Sequence, residues 1–161
     1  MTATVGPQLL VAGIGEMVLA GDAGAQLVAY GLGSCVALAL WDPQTRVGGL
    51  AHFMLPSGSA GGPPVKFVET GMGTFLAAFE AKGGSTRRAR IKAAGGAAML
   101  AVSASGLEIG KRNAQAVEAA LRGRGLALHA TDLGGNAGRT VQLEVGTGRL
   151  QVKSVMKTAD I

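Results

Sequence analysis

The stretch Gly31-Leu32-Gly33-Ser34-Cys35-Val36-Ala37-Leu38-Ala39-Leu40-Trp41-Asp42-Pro43-Gln44-Thr45-Arg46-Val47-Gly48-Gly49-Leu50-Ala51-His52-Phe53-Met54-Leu55 decides how this chain is read. Cys35 to Trp41 is an apolar run without helical period, as expected of a buried strand. Asp42-Pro43-Gln44-Thr45 is a turn signal, with a proline following an aspartate. Arg46 to Leu55 reads as the returning strand, so the two runs form a hairpin. Closure of a four-residue turn, Asp42 to Thr45, on a Trp41–Arg46 pair places Cys35 directly opposite His52 on one face. Directly opposed residues have Cβ atoms about 4.5–5.5 Å apart. A slip of one residue would send the two side chains to opposite faces.

Outward from the hairpin, Val11 to Ala20 reads as a first strand region and Gln26 to Tyr30 as a short second strand. Pro56 to Pro64 is a loop of Gly, Ser and Pro, with the composition of a mobile lid or docking segment. Val65 to Lys82 is expected to be a helix. Its Val68, Met72, Phe75, Leu76 and Phe79 form an apolar stripe, and Gly83-Gly84 stops it. Ala89 to Ala94 reads as a strand and Ala97 to Val102 as a short apolar segment of undetermined type. A second helix lies within Ile109 to Gly123, and Leu126 to Asp132 is a further strand. Arg139 to Val145 and Arg149 to Val155 alternate around Gly146-Thr147-Gly148 as a second hairpin. The expected fold is α/β: a single domain over 1–161 of packed, largely antiparallel or mixed sheets with flanking helices.

Composition narrows the function. Of 161 residues, 48% are hydrophobic and 16% charged, which excludes a disordered tail or a charged coiled coil. The 27 glycines follow no Gly-X-Y period, which excludes collagen. One cysteine excludes an intramolecular disulfide and a multi-cysteine zinc site, and two histidines without partner cysteines do not suggest a structural zinc site; no metal and no cofactor are expected. A net charge of +5 favours acidic partners, but the basic residues are dispersed, Arg87, Arg88, Arg90 and Lys92 being the densest group. With 4% aromatics there is no base-stacking platform, and nucleic acid is not an expected partner. The uncharged run Ala23 to Trp41 carries Gln26, Tyr30, Ser34 and several glycines, so it reads as strands and a turn. No basic leader precedes Glu16. A cytoplasmic protein without membrane insertion is expected.

The only cysteine beside a histidine suits nucleophilic catalysis. The thiolate is the nucleophile, a neighbouring imidazolium lowers the thiol pKa, and imidazole exchanges protons near neutral pH. A thiol primed in this way is expected to alkylate faster than free cysteine. Gly31, Gly33 and Ser34 would let backbone N–H groups turn toward a substrate and hold an oxyanion. The plainer alternative is a buried structural cysteine and a satisfied histidine. His129 reads as a strand-face histidine, and Asp132 as a weak candidate for orienting an imidazole. Gly31-x-Gly33 and Gly95-Gly96 lack the spacing of a phosphate-binding loop.

Five segments in order resemble the CheD family of chemoreceptor glutamine deamidases. They are Gly31 to Ala37, Gly48 to Pro56, Lys92-Ala93-Ala94-Gly95-Gly96-Ala97, Ile109-Gly110-Lys111-Arg112-Asn113 and Asp132-Leu133-Gly134-Gly135-Asn136. The resemblance runs from about Gly13 to Val155. It implies hydrolysis of glutamine side-chain amides on the cytoplasmic helices of chemoreceptors, and in some members of glutamyl methyl esters. It implies a fold related to toxin deamidase domains, Cys35 as nucleophile, His52 as general acid and base, and a CheC-type phosphatase as a further partner. The backbone at Gly33 and Ser34 would supply the oxyanion donors.

The family pattern has a threonine six residues before the cysteine, where this chain has Ala29. The imidazole is then oriented by a backbone carbonyl or another side chain, or activity is impaired. Two functions follow: an active deamidase, supported by Cys35, His52 and the glycine turn, or a weakly catalytic receptor- or phosphatase-binding regulator, supported by Ala29.

Overall fold

The computed structural model describes residues 6–59, 61–99 and 104–161. The described strands are β1 (Gln8–Val11), β2 (Met17–Ala20), β3 (Ala25–Leu32), β4 (Val36–Trp41), β5 (Gly48–Phe53), β6 (Arg90–Gly95), β7 (Ala130–Leu133), β8 (Arg139–Glu144), β9 (Leu150–Ser154) and β10 (Thr158–Asp160). The helices are α1 (Val68–Ala81) and α2 (Ala104–Arg122).

The apolar run after Cys35 is the key to the packing. In β4, Val36, Leu38 and Leu40 face a core shared with Met72, Phe75 and Phe79 of α1 and Val117 and Leu121 of α2. Ala37 and Ala39 face the opposite way, into a second core with Leu27, Ala29, Val141 and Leu143. Both faces are covered, so the strand is apolar throughout rather than alternating. Three layers result: helices, a sheet ordered β2-β5-β4-β6-β7, and a sheet ordered β1-β3-β8-β9-β10. The pairs β1–β3 and β6–β7 are parallel and the others antiparallel, in agreement with the expected mixed, largely antiparallel α/β fold. Small residues bring the layers together. A Cβ on Gly48 would stand 3.0 Å from Val145, and one on Gly49 would stand 3.1 Å from the Phe75 ring.

Several expectations change in detail. Val11 to Ala20 is not one strand region: Val11 ends β1, residues 12–16 with Gly15 at φ +79° carry the chain to the other sheet, and only Met17 to Ala20 form β2 there. Helix α1 begins three residues later than expected, since Leu55 and Phe67 form a β-bridge and Met54 and Leu55 donate to the Lys66 carbonyl. Of the expected segment Ala97 to Val102, the part from residue 100 on lies outside the described residues.

The hairpin register is also corrected, by two residues. Trp41 pairs with Gly48, and Asp42 and Val47 close the turn through Asp42 N–H to Val47 O at 2.9 Å. The loop is therefore Pro43 to Arg46. Asp42 is its fully buried anchor, accepting from Gln44 N–H at 2.9 Å, Ser85 N–H at 2.8 Å and the Arg88 guanidinium at 2.7 Å. The loop keeps four residues but begins and ends one residue later, and its last residue, Arg46, is in the left-handed region at φ 59°.

Candidate active site

Two connections cross between the sheets at one end of the molecule. Residues 12–16 link β1 to β2, and Gly33 to Cys35 link β3 to β4. They leave the first sheet at the ends of the parallel strands β1 and β3, and they enter the second sheet where β5 ends.

The carbonyls of the second crossing are all engaged. Gly33 O accepts from Ala97 N–H, Ser34 O from Asn113 Nδ2 and Cys35 O from Gly96 N–H, each at 2.9 Å. The N–H groups of Gly33, Ser34 and Cys35 donate to no carbonyl among the described residues. The turn thus fixes its acceptors inward, while its N–H groups have no carbonyl partner among the described residues.

His52 lies on β5 and is 2% exposed. Its own main chain is paired with the first crossing, N–H to Glu16 O at 2.9 Å and O from Gly15 N–H at 2.8 Å. Its ring meets the same crossing, with Nδ1 3.0 Å from Ala12 O. A carbonyl only accepts, so Nδ1 carries the proton. Nε2 is buried and has no hydrogen-bond partner among the described residues. Burial pushes the His52 pKa down, against smaller upward effects of the Ala12 bond and the Glu16 carboxylate. The ring is therefore neutral at pH 7, with a bare lone pair on Nε2.

Cys35 immediately precedes β4, and Ala37 is the residue opposite His52. The expected directly opposed pair is therefore a diagonal one. The two-residue shift keeps both side chains on one face, because strand side chains alternate with period two. That face is the core between the sheets: Cys35 packs against the cluster that contains Ala37 and Leu50, while Ala51 and Phe53 on either side of His52 point to the helices. Diagonal neighbours lie about 7–8 Å apart, within reach of a long or aromatic side chain.

Burial pushes the Cys35 thiol pKa up, and its own backbone N–H only partly offsets this. With His52 shifted down, the resting pair is thiol and neutral imidazole rather than the thiolate–imidazolium pair expected from the residue types.

Other expectations resolve differently. Ala29 is fully buried on β3 opposite Val141. The Ala12 carbonyl fills the orienting role for which Ala29 has no side-chain acceptor. His129 accepts the Ile91 N–H on its Nδ1 at 3.1 Å, and Asp132 pairs with Arg139 at 2.9 Å; neither reaches His52. Ala12 was invisible to sequence reading because a main-chain acceptor carries no residue signature. Asn113 stood in a recognised motif, but its partners at residues 34 and 54 lie 79 and 59 positions away in the chain. Beside the site, the loop Pro56 to Pro64 docks on the first crossing: a Cβ on Gly15 would stand 2.9 Å from Pro63, and Val65 N–H donates to Gly15 O at 2.9 Å.

Residues 54–154 match the family model described as CheD chemotactic sensory transduction. Over 154 residues the chain is 46% identical to the probable chemoreceptor glutamine deamidase CheD of Symbiobacterium thermophilum, covering 92% of this chain and 93% of that protein. It is 40% identical over 146 residues to the chemoreceptor glutamine deamidase CheD of Thermotoga maritima, covering 90% and 91%. It is also 40% identical over 147 residues to the probable enzyme of the same name from Thermococcus kodakarensis, covering 89% and 91%.

Proposed function

The chain belongs to the CheD family, and from that premise we propose that it is a chemoreceptor glutamine deamidase, one domain over 1–161 that uses Cys35 and His52. The substrates are glutamine side chains on the cytoplasmic helices of chemoreceptors, which places the enzyme in the cytoplasm. No described helix is long and apolar enough to cross a membrane. A CheC-type phosphatase as a second partner follows from the family resemblance.

The observation that carries the mechanism is the state of His52: Nδ1–H held by Ala12 O, and Nε2 bare and buried on the face it shares with Cys35. Nε2 takes the thiol proton as Cys35 Sγ attacks the glutamine amide carbon. The carbonyl oxygen becomes an oxyanion, and the N–H groups of the Gly33–Cys35 turn, including those of Gly33 and Ser34, stabilise it. One such donor contributes about 2.7–4 kcal/mol to the transition state. The imidazolium then gives its proton to the leaving nitrogen, which departs as ammonia and leaves a thioester on Cys35. Neutral His52 next takes a proton from water, whose oxygen attacks the thioester. Collapse of that intermediate frees glutamate and returns the proton to sulfur. Throughout, the Ala12 carbonyl holds the ring and favours the transient imidazolium.

The regulator reading rests on Ala29 lacking an acceptor, and the Ala12 carbonyl removes the need for one. We place the Pro56–Pro64 loop at the rim of the receptor groove. Shortening it is expected to weaken receptor binding and leave Cys35 alkylation unchanged. The deciding experiment is ammonia release from a purified receptor cytoplasmic fragment. Wild type is expected to release it and Cys35→Ala to release none; equal release from both would end the proposal.

A further inference from the structure

Asn113 of α2 is fully buried, and its Nδ2 donates to Ser34 O and to Met54 O, both at 2.9 Å. Ser34 precedes the cysteine, and Met54 lies two residues beyond the histidine. Ladder pairing between β4 and β5 stops at Val36–Phe53, and just beyond that pair the Asn113 amide bridges the segments that flank the two strands. We propose that Asn113 is a positioning residue for the deamidation chemistry, setting the separation of Cys35 from His52; this rests on the function proposed above.

The chemistry of the bridge is selective. Two carbonyls facing each other can be joined only by a group with two hydrogens to donate, which an amide NH2 supplies. A carboxylate of the same shape would place a third acceptor against them. A flipped amide would do the same, so the orientation is fixed. The remaining oxygen, Oδ1, is buried without a partner among the described residues, so part of the bonding capacity of this side chain is forgone to keep the bridge.

The helix is brought within reach by a glycine one turn earlier. A Cβ on Gly110 would overlap Ala97 O and stand 2.7 Å from Gly96 O, a backbone contact that cannot give way cheaply. Gly96 N–H holds Cys35 O, and Ala97 N–H holds Gly33 O. Gly110 thus seats α2 on the segment that carries the cysteine turn, and Asn113, three residues on, reaches both strands. This gives a physical meaning to the spacing of Gly110-Lys111-Arg112-Asn113.

The test reads the Cys35–His52 relation without substrate and then with it. Alkylation of Cys35 by iodoacetamide is followed against pH in wild type, His52→Ala, Asn113→Ala and the double variant, with thermal unfolding of each. His52→Ala is expected to change the profile in the wild-type background and to leave it unchanged in the Asn113→Ala background. On the receptor fragment, Asn113→Ala is expected to lower kcat by about 10²-fold with KM nearly unchanged, the effect of misplacing a reacting group by about 1 Å. Asn113→Asp is expected to do the same, and Asn113→Ser, keeping one donor, to fall between. If Asn113→Ala does not fold, Asn113→Ser is read by the same two measurements, and an undiminished effect of His52→Ala in its profile overturns the inference. Folded Asn113→Ala with the full effect of His52→Ala overturns it whatever the deamidation rate. Loss of that effect together with no ammonia from wild type sustains the positioning role and overturns the proposed function instead.

Discussion

The two histidines of this chain make opposite use of the same ring atom. His52 Nδ1 lies 3.0 Å from a carbonyl, so it must carry a proton and Nε2 is bare. His129 Nδ1 receives the Ile91 N–H at 3.1 Å, so its lone pair is occupied and in the neutral ring the proton sits on Nε2. His52 is buried at the crossing between two sheets, and His129 is exposed beside β6. The backbone partner, rather than residue type or strand placement, selects which histidine presents a base. A side chain with its lone pair already engaged is a structural pin.

Exchanging each histidine for alanine separates the two most strongly. His52→Ala is expected to lose about 10²–10⁴-fold in deamidation, the usual contribution of a positioned general acid–base. His129→Ala is expected to keep the wild-type rate and lose about 1 kcal/mol of stability in chemical denaturation, one hydrogen bond to a backbone N–H. Comparable activity losses in the two variants would erase the distinction.

The next effect is on pH. Burial lowers the His52 pKa, and the proposed mechanism needs the neutral ring to accept the thiol proton. Activity should therefore persist below the ordinary histidine value of about 6.5 and fall only as pH passes the lowered value. Glu16 favours the imidazolium, so Glu16→Gln should move this acid limb further down. An acid limb above the ordinary histidine value, or an upward move in Glu16→Gln, would contradict the assignment. In the absence of substrate, Cys35, with its thiol pushed up by burial, should alkylate no faster than free cysteine at pH 7.

The smallest effect is expected at Ala29. Because Ala12 O already holds the ring, Ala29→Thr should leave kcat unchanged. Its added atoms enter a fully buried position and should cost about 1–3 kcal/mol in thermal unfolding. A rate increase would show that the carbonyl alone orients His52 poorly.

What sequence made legible follows the same physics. The shared face of Cys35 and His52 survived a register error because the error was even, and strand side chains repeat every two residues. The error itself came from placing the four-residue turn one residue too early: Asp42 closes it rather than opening the loop, and Arg46, which ends it, has no sequence signature for its left-handed conformation. Within Val11 to Ala20 only β2, Met17–Ala20, was legible as a strand; the division of the stretch between the end of β1 and β2 in the other sheet was not, since alternation does not say which sheet a strand joins. That division puts Ala12 O against the ring. The amphipathic stripe of α1 was read correctly because Val68, Met72, Phe75, Leu76 and Phe79 all enter one core. The reach of Asn113 across two strands needed the fold.

The most direct test is the protonation of the His52 ring nitrogens, read by nitrogen-15 NMR of histidine-labelled protein at pH 7 without substrate. The expected spectrum has His52 neutral with hydrogen on Nδ1 and a bare Nε2, beside His129 with a bare Nδ1. A His52 that is an imidazolium, or that carries its proton on Nε2, would contradict the account.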